Sequence, residues 1–349
     1  MITPTDGPAL LEDSPPGEWV PDVMEGFQRL TIPLEVDEEG QNVATLVRPD
    51  PTPGREDRIP LLYLHGWSDY FYNAPLAEHF EAHGYAFYAL DLRRYGRSLR
   101  PGQTPGWADS LEVYDDEIGA ALHQIAQEVP ALPVLMGHST GGLTAALWSS
   151  RHQGRLRALV LNSPWLEMQG STLVRLMASA VVNPVTRVQP KSFLKLPKVD
   201  HYWRSLSAEA DGDWDLHPQW RPQYAFDVPS GWLKAVMAGH SQVSAGLGLA
   251  EPVYVMLAAK TMFGTKWSEE MLAADSVLDV EVLAQRAMRL GRHVTVARHE
   301  GAMHDVMASQ RPVRRQAARE LFRWMSVYAG PDTTPGHSLD PLIPDDDDE

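Results

Sequence analysis

A short apolar run, Leu132-Pro133-Val134-Leu135-Met136, leads straight into Gly137-His138-Ser139-Thr140-Gly141. Gly142-Leu143-Thr144-Ala145-Ala146-Leu147-Trp148 follows as a good helix opening. No other stretch restricts the fold so sharply. A strand that turns abruptly into a helix brings the two backbones together. A Cβ at the flanking positions would clash, and the glycines remove that obstacle. The central residues fit G-x-S-x-G, in which the serine projects from the turn. The helix N-terminus behind it favours developing negative charge. Ser139 is the candidate nucleophile.

The rest of the chain supplies a sheet for this turn to sit in. Apolar runs at 61–64, 86–90, 134–136, 158–161, 253–258 and 294–297 read as strands. Helical stretches at 75–83, 113–128, 143–151, 282–290 and 313–328 alternate with them. Segments 27–36 and 42–47 read as an antiparallel pair ahead of the alternation. The expected class is α/β, with a mostly parallel central sheet flanked by helices.

The alternation breaks between about 164 and 250, where Trp165, Trp203, Trp214, Trp220 and Trp232 cluster. An insert there would lie over the carboxyl ends of the strands, where such sheets bind ligands. We expect it to be an aromatic-rich lid supplying an apolar pocket wall. The domain plan is then a surface-wrapping segment 1–26, a core of 27–163 and 251–330, the lid 164–250, and an acidic tail 331–349, expected to be disordered.

Composition excludes several function classes. The formal net charge of −16 argues against a nucleic-acid partner and leaves no polybasic membrane anchor. The chain has no cysteine, which removes disulfides, thiolate nucleophiles and cysteine metal sites. No H-E-x-x-H or clustered ligand spacing is present, so neither metal nor cofactor is expected. The amino-terminal residues lack a basic and an apolar signal-peptide region, and 173–182 is too short and too charged to span a bilayer. A cytoplasmic protein is the expectation.

A serine hydroxyl needs a base within hydrogen-bond reach, and the base needs an orienting group. The histidine should lie in the loop after the last strand, and His304 does. His299 is the alternative, close to the strand end. The acid should follow the strand at 253–258, with Asp275 and Asp279 as candidates. Asp275 comes first, whereas Asp279 stands where a helix N-cap belongs. Asp305, next to His304, is poorly placed to hold its ring from behind. For an oxyanion, the backbone N–H of Thr140 directly follows the nucleophile, and that of Trp67 lies in the loop after 61–64. His65 is expected to shape that loop, and His138 to pack beneath the serine.

These pieces resemble, in order from about residue 60 to 325, the serine aminopeptidase-like branch of the α/β-hydrolases, which includes monoacylglycerol lipases and lysophospholipases. They are His65-Gly66, Asp91 to Ser98, Gly137 to Gly142, Asp275 before Val277, and Gly301 to His304. The chain departs from the family at Arg94-Tyr95-Gly96, where Gly-His-Gly is common, and in a long stretch at 260–274. The resemblance implies an α/β-hydrolase fold and a serine hydrolase cutting carboxylic esters, with monoacylglycerols, lysophospholipids or similar lipid-like esters as substrates. Ser139, Asp275 and His304 would form the triad. The rival readings are an amide-cutting aminopeptidase, for which Glu209, Asp211, Asp213 and Asp215 could hold a substrate amine, and a non-catalytic binding protein of the same fold.

Overall fold

The computed structural model describes residues 11, 13–168 and 189–330. The acidic tail, the stretch 173–182 and part of the expected lid lie outside the described residues. Nine strands form one sheet in the order β1-β2-β3-β5-β4-β6-β7-β8-β9. They are β1 (Val20–Pro21), β2 (Phe27–Asp37), β3 (Gly40–Pro49), β4 (Ile59–Leu64), β5 (Tyr85–Asp91), β6 (Val134–His138), β7 (Ala158–Asn162), β8 (Val253–Ala258) and β9 (Val294–His299). The first three pair antiparallel, and β3 joins β5 antiparallel. From β5 to β9 every pairing is parallel.

Strands β4 to β8 are buried along their whole length, which is why they read as continuous apolar runs rather than alternating ones. The two faces are still separable, because successive side chains point to opposite sides. Leu62, Leu64, Tyr88, Leu90, Leu135 and Leu161 face one core layer, under α2 (Tyr114–Glu128) and α3 (Thr140–Arg151). Leu61, Tyr63, Phe87, Val134, Met136 and Val160 face the other, under α1 (Ala74–Ala82) and α7 (Arg311–Tyr328).

Three further helices complete the described residues: α4 (His201–Leu206), α5 (Ser230–Ala245) and α6 (Val280–Ala287). Helix α5 was not anticipated. Its buried side includes Trp232, Val236, Gly239, His240 and Val243, a helical spacing interrupted by a glycine and a histidine. Helix α3 starts three residues earlier than its apolar run, at Thr140 itself. Among the described residues no helix is long and apolar enough to cross a membrane.

One buried ionic cluster ties the connection between β1 and β2 to the end of β5. The Arg97 guanidinium pairs with Asp22 at 2.7 Å and Asp91 at 2.9 Å, and all three side chains are inaccessible to solvent. Burial pushes the Asp22 carboxyl up and Arg97 pulls it down; the balance lies below its usual value. Asp91 also accepts from the backbone N–H groups of Phe71 and Arg97. Removing the cation strands two carboxylates in a dry site. Arg97→Met should lose about 3–5 kcal/mol of stability, read from urea unfolding, while Asp22→Asn, which leaves the Asp91 pair, should lose less.

Candidate active site

Strand β6 ends at His138, and Ser139 takes φ 52° and ψ −116° before α3 begins. An L-residue adopts this backbone only at a cost, and it persists where packing over-determines it. The packing is tight. A Cβ added to Gly141 would meet the His65 carbonyl oxygen at 2.2 Å, and one added to Gly137 would meet the Gly141 oxygen at 2.4 Å. A Cβ on Gly66 would lie 3.2 Å from the Ser139 Cβ. The loop after β4 therefore passes directly beside the serine. His65 fixes that loop: its Nδ1–H donates to the Gly66 carbonyl at 2.8 Å, and its Nε2 accepts from the Leu92 N–H at 3.1 Å.

The structure brings Ser139, His304 and Asp275 together. His304 Nε2 is 3.1 Å from the Ser139 Oγ, and His304 Nδ1 is 2.9 Å from the Asp275 Oδ2. An ionised carboxylate only accepts, so Nδ1 carries the proton and Nε2 is left to accept from the serine hydroxyl. Asp275 and His304 are buried, and the Asp275 Oδ1 accepts from the N–H groups of Val277 and Leu278 at 2.8 and 2.7 Å. The long stretch at 260–274 does not displace the acid. It is pinned at its ends, with the Asp275 N–H donating to the Lys260 carbonyl and the Met262 N–H to the Asp275 carbonyl.

The alternatives have other partners. The Asp279 side chain caps α6, accepting from Glu281 and Val282 N–H groups. Asp305 accepts from Asn162 Nδ2 at 2.6 Å and from the N–H groups of Met307 and Ala308. His299 ends β9 with its Nδ1 3.5 Å from Glu320, and burial lowers its proton affinity. His138 is buried 4.9 Å from the His304 ring, between the Asn162 carbonyl and the Tyr202 hydroxyl, and burial lowers its pKa too.

A cavity of about 730 Å³ opens over Ser139 and Thr140, lined chiefly by apolar side chains that include Trp67, Trp165, Trp203 and Trp232. That volume suits a small molecule. Trp214 and Trp220 do other work: Trp214 packs on Tyr72 and donates to the Ala308 carbonyl, and Trp220 packs on Tyr70. No Asp or Glu is among the described lining residues, and the one Arg, Arg221, is paired with Asp69. The pairing of Asp69 with Arg221 escaped sequence reasoning, since no motif links a loop at 65–69 to an arginine in the insert.

The fold carries this arrangement in a known setting. The family model described as serine aminopeptidase, S33, matches residues 56–228. The chain is an α/β-hydrolase of this branch. A monoacylglycerol lipase of Mycolicibacterium smegmatis is 31% identical over 134 residues, 38% of this chain and 46% of that protein. A human (lyso)-N-acylphosphatidylethanolamine lipase is 27% identical over 33% of this chain and 32% of its own length. The matched region thus spans less than half the length of these curated relatives. The solved structure of a Paleococcus ferrophilus monoacylglycerol lipase superposes with a TM-score of 0.58 over 88% of this α/β-hydrolase and 100% of that chain, at 18% identity, a likeness of fold. The family match includes Ser139 and stops before Asp275 and His304, so geometry alone associates those two with the serine.

Two predictions follow from the local physics. The Ser139 backbone mirrors an extended conformation that glycine adopts freely, so Ser139→Gly should be more stable than Ser139→Ala by about 1 kcal/mol in urea unfolding. His240, on α5, donates from Nε2 to the Trp165 carbonyl at 2.8 Å, and burial lowers its pKa to about 4. An unfolded histidine takes its proton near pH 6.5. Between these values the unfolded chain binds more protons, so stability falls as the pH drops from about 6.5 to 4. His240→Gln should make that decline shallower in unfolding curves recorded across this window.

Proposed function

We propose that this α/β-hydrolase cuts carboxylic esters through an acyl-enzyme on Ser139. The observation that carries the reading is the unbroken relay from Asp275 through His304 to the Ser139 hydroxyl at the base of an apolar cavity. In this mechanism His304 Nε2 takes the Ser139 proton as the oxygen attacks the ester carbonyl. Asp275 steadies the imidazolium and holds the ring in its productive tautomer. The backbone N–H groups of Thr140 and Trp67 stabilise the oxyanion. Thr140 is the first residue of α3, where N–H groups lack intrahelical partners. His304 then protonates the departing alcohol, and a water activated by the same nitrogen releases the acid.

The insert, 164–250, is the lid in this reading, and 27–163 with 251–330 is the core. The substrate is a small lipid-like ester, and the names of the relatives favour monoacylglycerols or lysophospholipids. The cavity's charges favour the former. Its one described arginine is already paired with Asp69, so no described arginine is left free for a phosphate. The lining also speaks against an aminopeptidase, which needs a carboxylate for the substrate amine. Among the acidic residues considered for that task, Asp211 pairs with Arg204 and Asp213 with Arg314.

Fluorophosphonate labelling of the wild type should be lost in Ser139→Ala with the circular dichroism spectrum unchanged; a labelled variant would refute the nucleophile. Asp275→Asn should lower kcat by about 10,000-fold, the cost of the same change in the best-studied serine triad, while Asp279→Asn keeps a good helix cap and most of the activity. Across a turnover panel, a monoacylglycerol should surpass the lysophospholipid of equal acyl length and an aminoacyl amide.

A further inference from the structure

Residues 67–72, the loop carrying the proposed Trp67 donor, touch the insert at almost every step. The Trp67 ring lies 3.8 Å from that of Trp232, centroid to centroid, and meets Phe226 edge-on. The Ser68 Oγ accepts from the Phe226 N–H at 3.0 Å. Asp69 pairs with Arg221, and the Tyr70 hydroxyl accepts from the His217 N–H at 2.9 Å. Tyr72 packs against Trp214. Ser68 itself sits at φ 52°, a backbone that a serine keeps only when its surroundings dictate it.

The Asp69–Arg221 pair is the centre of this seam. Their side chains are 2% and 6% exposed. The Arg221 guanidinium lies over the Tyr72 ring at 5.7 Å and the Tyr202 ring at 5.0 Å. Tyr202 in turn packs edge-on against His304 at 5.0 Å. One side chain of the insert therefore braces both flanks of the site. A buried ion pair is a poor source of net stability compared with apolar packing, so its place beside the nucleophile calls for another account.

We infer that Arg221 is a positioning residue that holds the oxyanion loop through Asp69, so that the donor site is assembled only when the insert is docked. The inference rests on the ester-hydrolase reading above. Docking of the insert is then a condition of catalysis as well as a cover for the pocket.

The test measures kcat and KM on p-nitrophenyl butyrate, the rate of fluorophosphonate labelling, and circular dichroism for the wild type, Arg221→Met, Arg221→Lys and Ser68→Gly. Arg221→Met should lower kcat and the labelling rate by about 100-fold, the scale of one lost oxyanion donor, with KM little changed. Arg221→Lys should recover part of that loss. Ser68→Gly suits the left-handed backbone and so folds, but it loses the acceptor for Phe226 and frees the loop. It should lower kcat by about tenfold at a constant KM. If Arg221→Met fails to fold, Arg221→Lys and Ser68→Gly decide the matter. A rise in KM with kcat and labelling intact would make Arg221 a wall residue and overturn the inference, as would a fully active Ser68→Gly. A wild type that neither turns over the ester nor takes the label would remove the ester-hydrolase reading and the inference with it.

Discussion

The closeness of α3 to the end of β4 governs everything else at the site. At Gly141 the helix presses against the His65 carbonyl so tightly that no side-chain carbon fits between them. That contact brings the loop after β4 beside Ser139, and it forces the serine into its left-handed backbone. The strain is held by the sheet, through the Ser139 N–H donating to the Asn162 carbonyl, and by α3, through the Leu143 N–H donating to the Ser139 carbonyl. The serine therefore cannot relax without unpicking a central strand or the helix. Its hydroxyl is presented at an almost fixed point, which is the condition for a relay of hydrogen bonds to be useful.

From this fixed point the other two members of the relay are reached by different routes. His304 arrives from a loop after β9 that Gly301 turns at φ 75°, and the Met303 N–H anchors it to the Ser309 hydroxyl. Asp275 arrives after a long excursion that returns to the residues just beyond β8 by a single bridge between Thr261 and Asp275. The carboxylate spends one oxygen on two backbone N–H groups and the other on His304. Two of these three hydrogen bonds thus come from its own loop. The ring then follows the carboxylate, and the proton order along the relay is set before any substrate binds.

Much of this was legible in the sequence, and for a definite reason. The strands of a parallel sheet buried on both sides are continuous apolar runs, and the turns that carry function need glycine at fixed places. Both are local signals. A cap position accounts for Asp279 in the sequence, and the structure shows Asp279 capping α6. The contacts that escaped are those between distant segments. Asp69 and Arg221 lie 152 positions apart, as do Lys191 and Glu39, and no period or motif connects such residues. Helix α5 escaped for a related reason. Its buried face has a helical spacing, but it includes Gly239, which fits against Leu147, and His240, which bonds to the Trp165 carbonyl. Those choices make sense only once α3 and the segment after β7 lie alongside.

The charge layout of the molecule makes the same point at a larger scale. The chain carries a strong net negative charge, yet the cavity over Ser139 has no carboxylate among its described lining residues and one arginine, paired with Asp69. Burying charge without a partner is costly, and the described lining holds no unpaired carboxylate or arginine. A low-dielectric site strengthens the hydrogen bonds within the relay and any backbone dipole aimed at the developing oxyanion. The aromatic rings of the lining come largely from the insert, and Trp67, which lies in the proposed donor loop, packs against one of them. Pocket shape and donor placement therefore share the same side chains. If Trp67 donates as proposed, exchanging the insert for another of different size would also change the support of the donor loop, and specificity and rate would vary together.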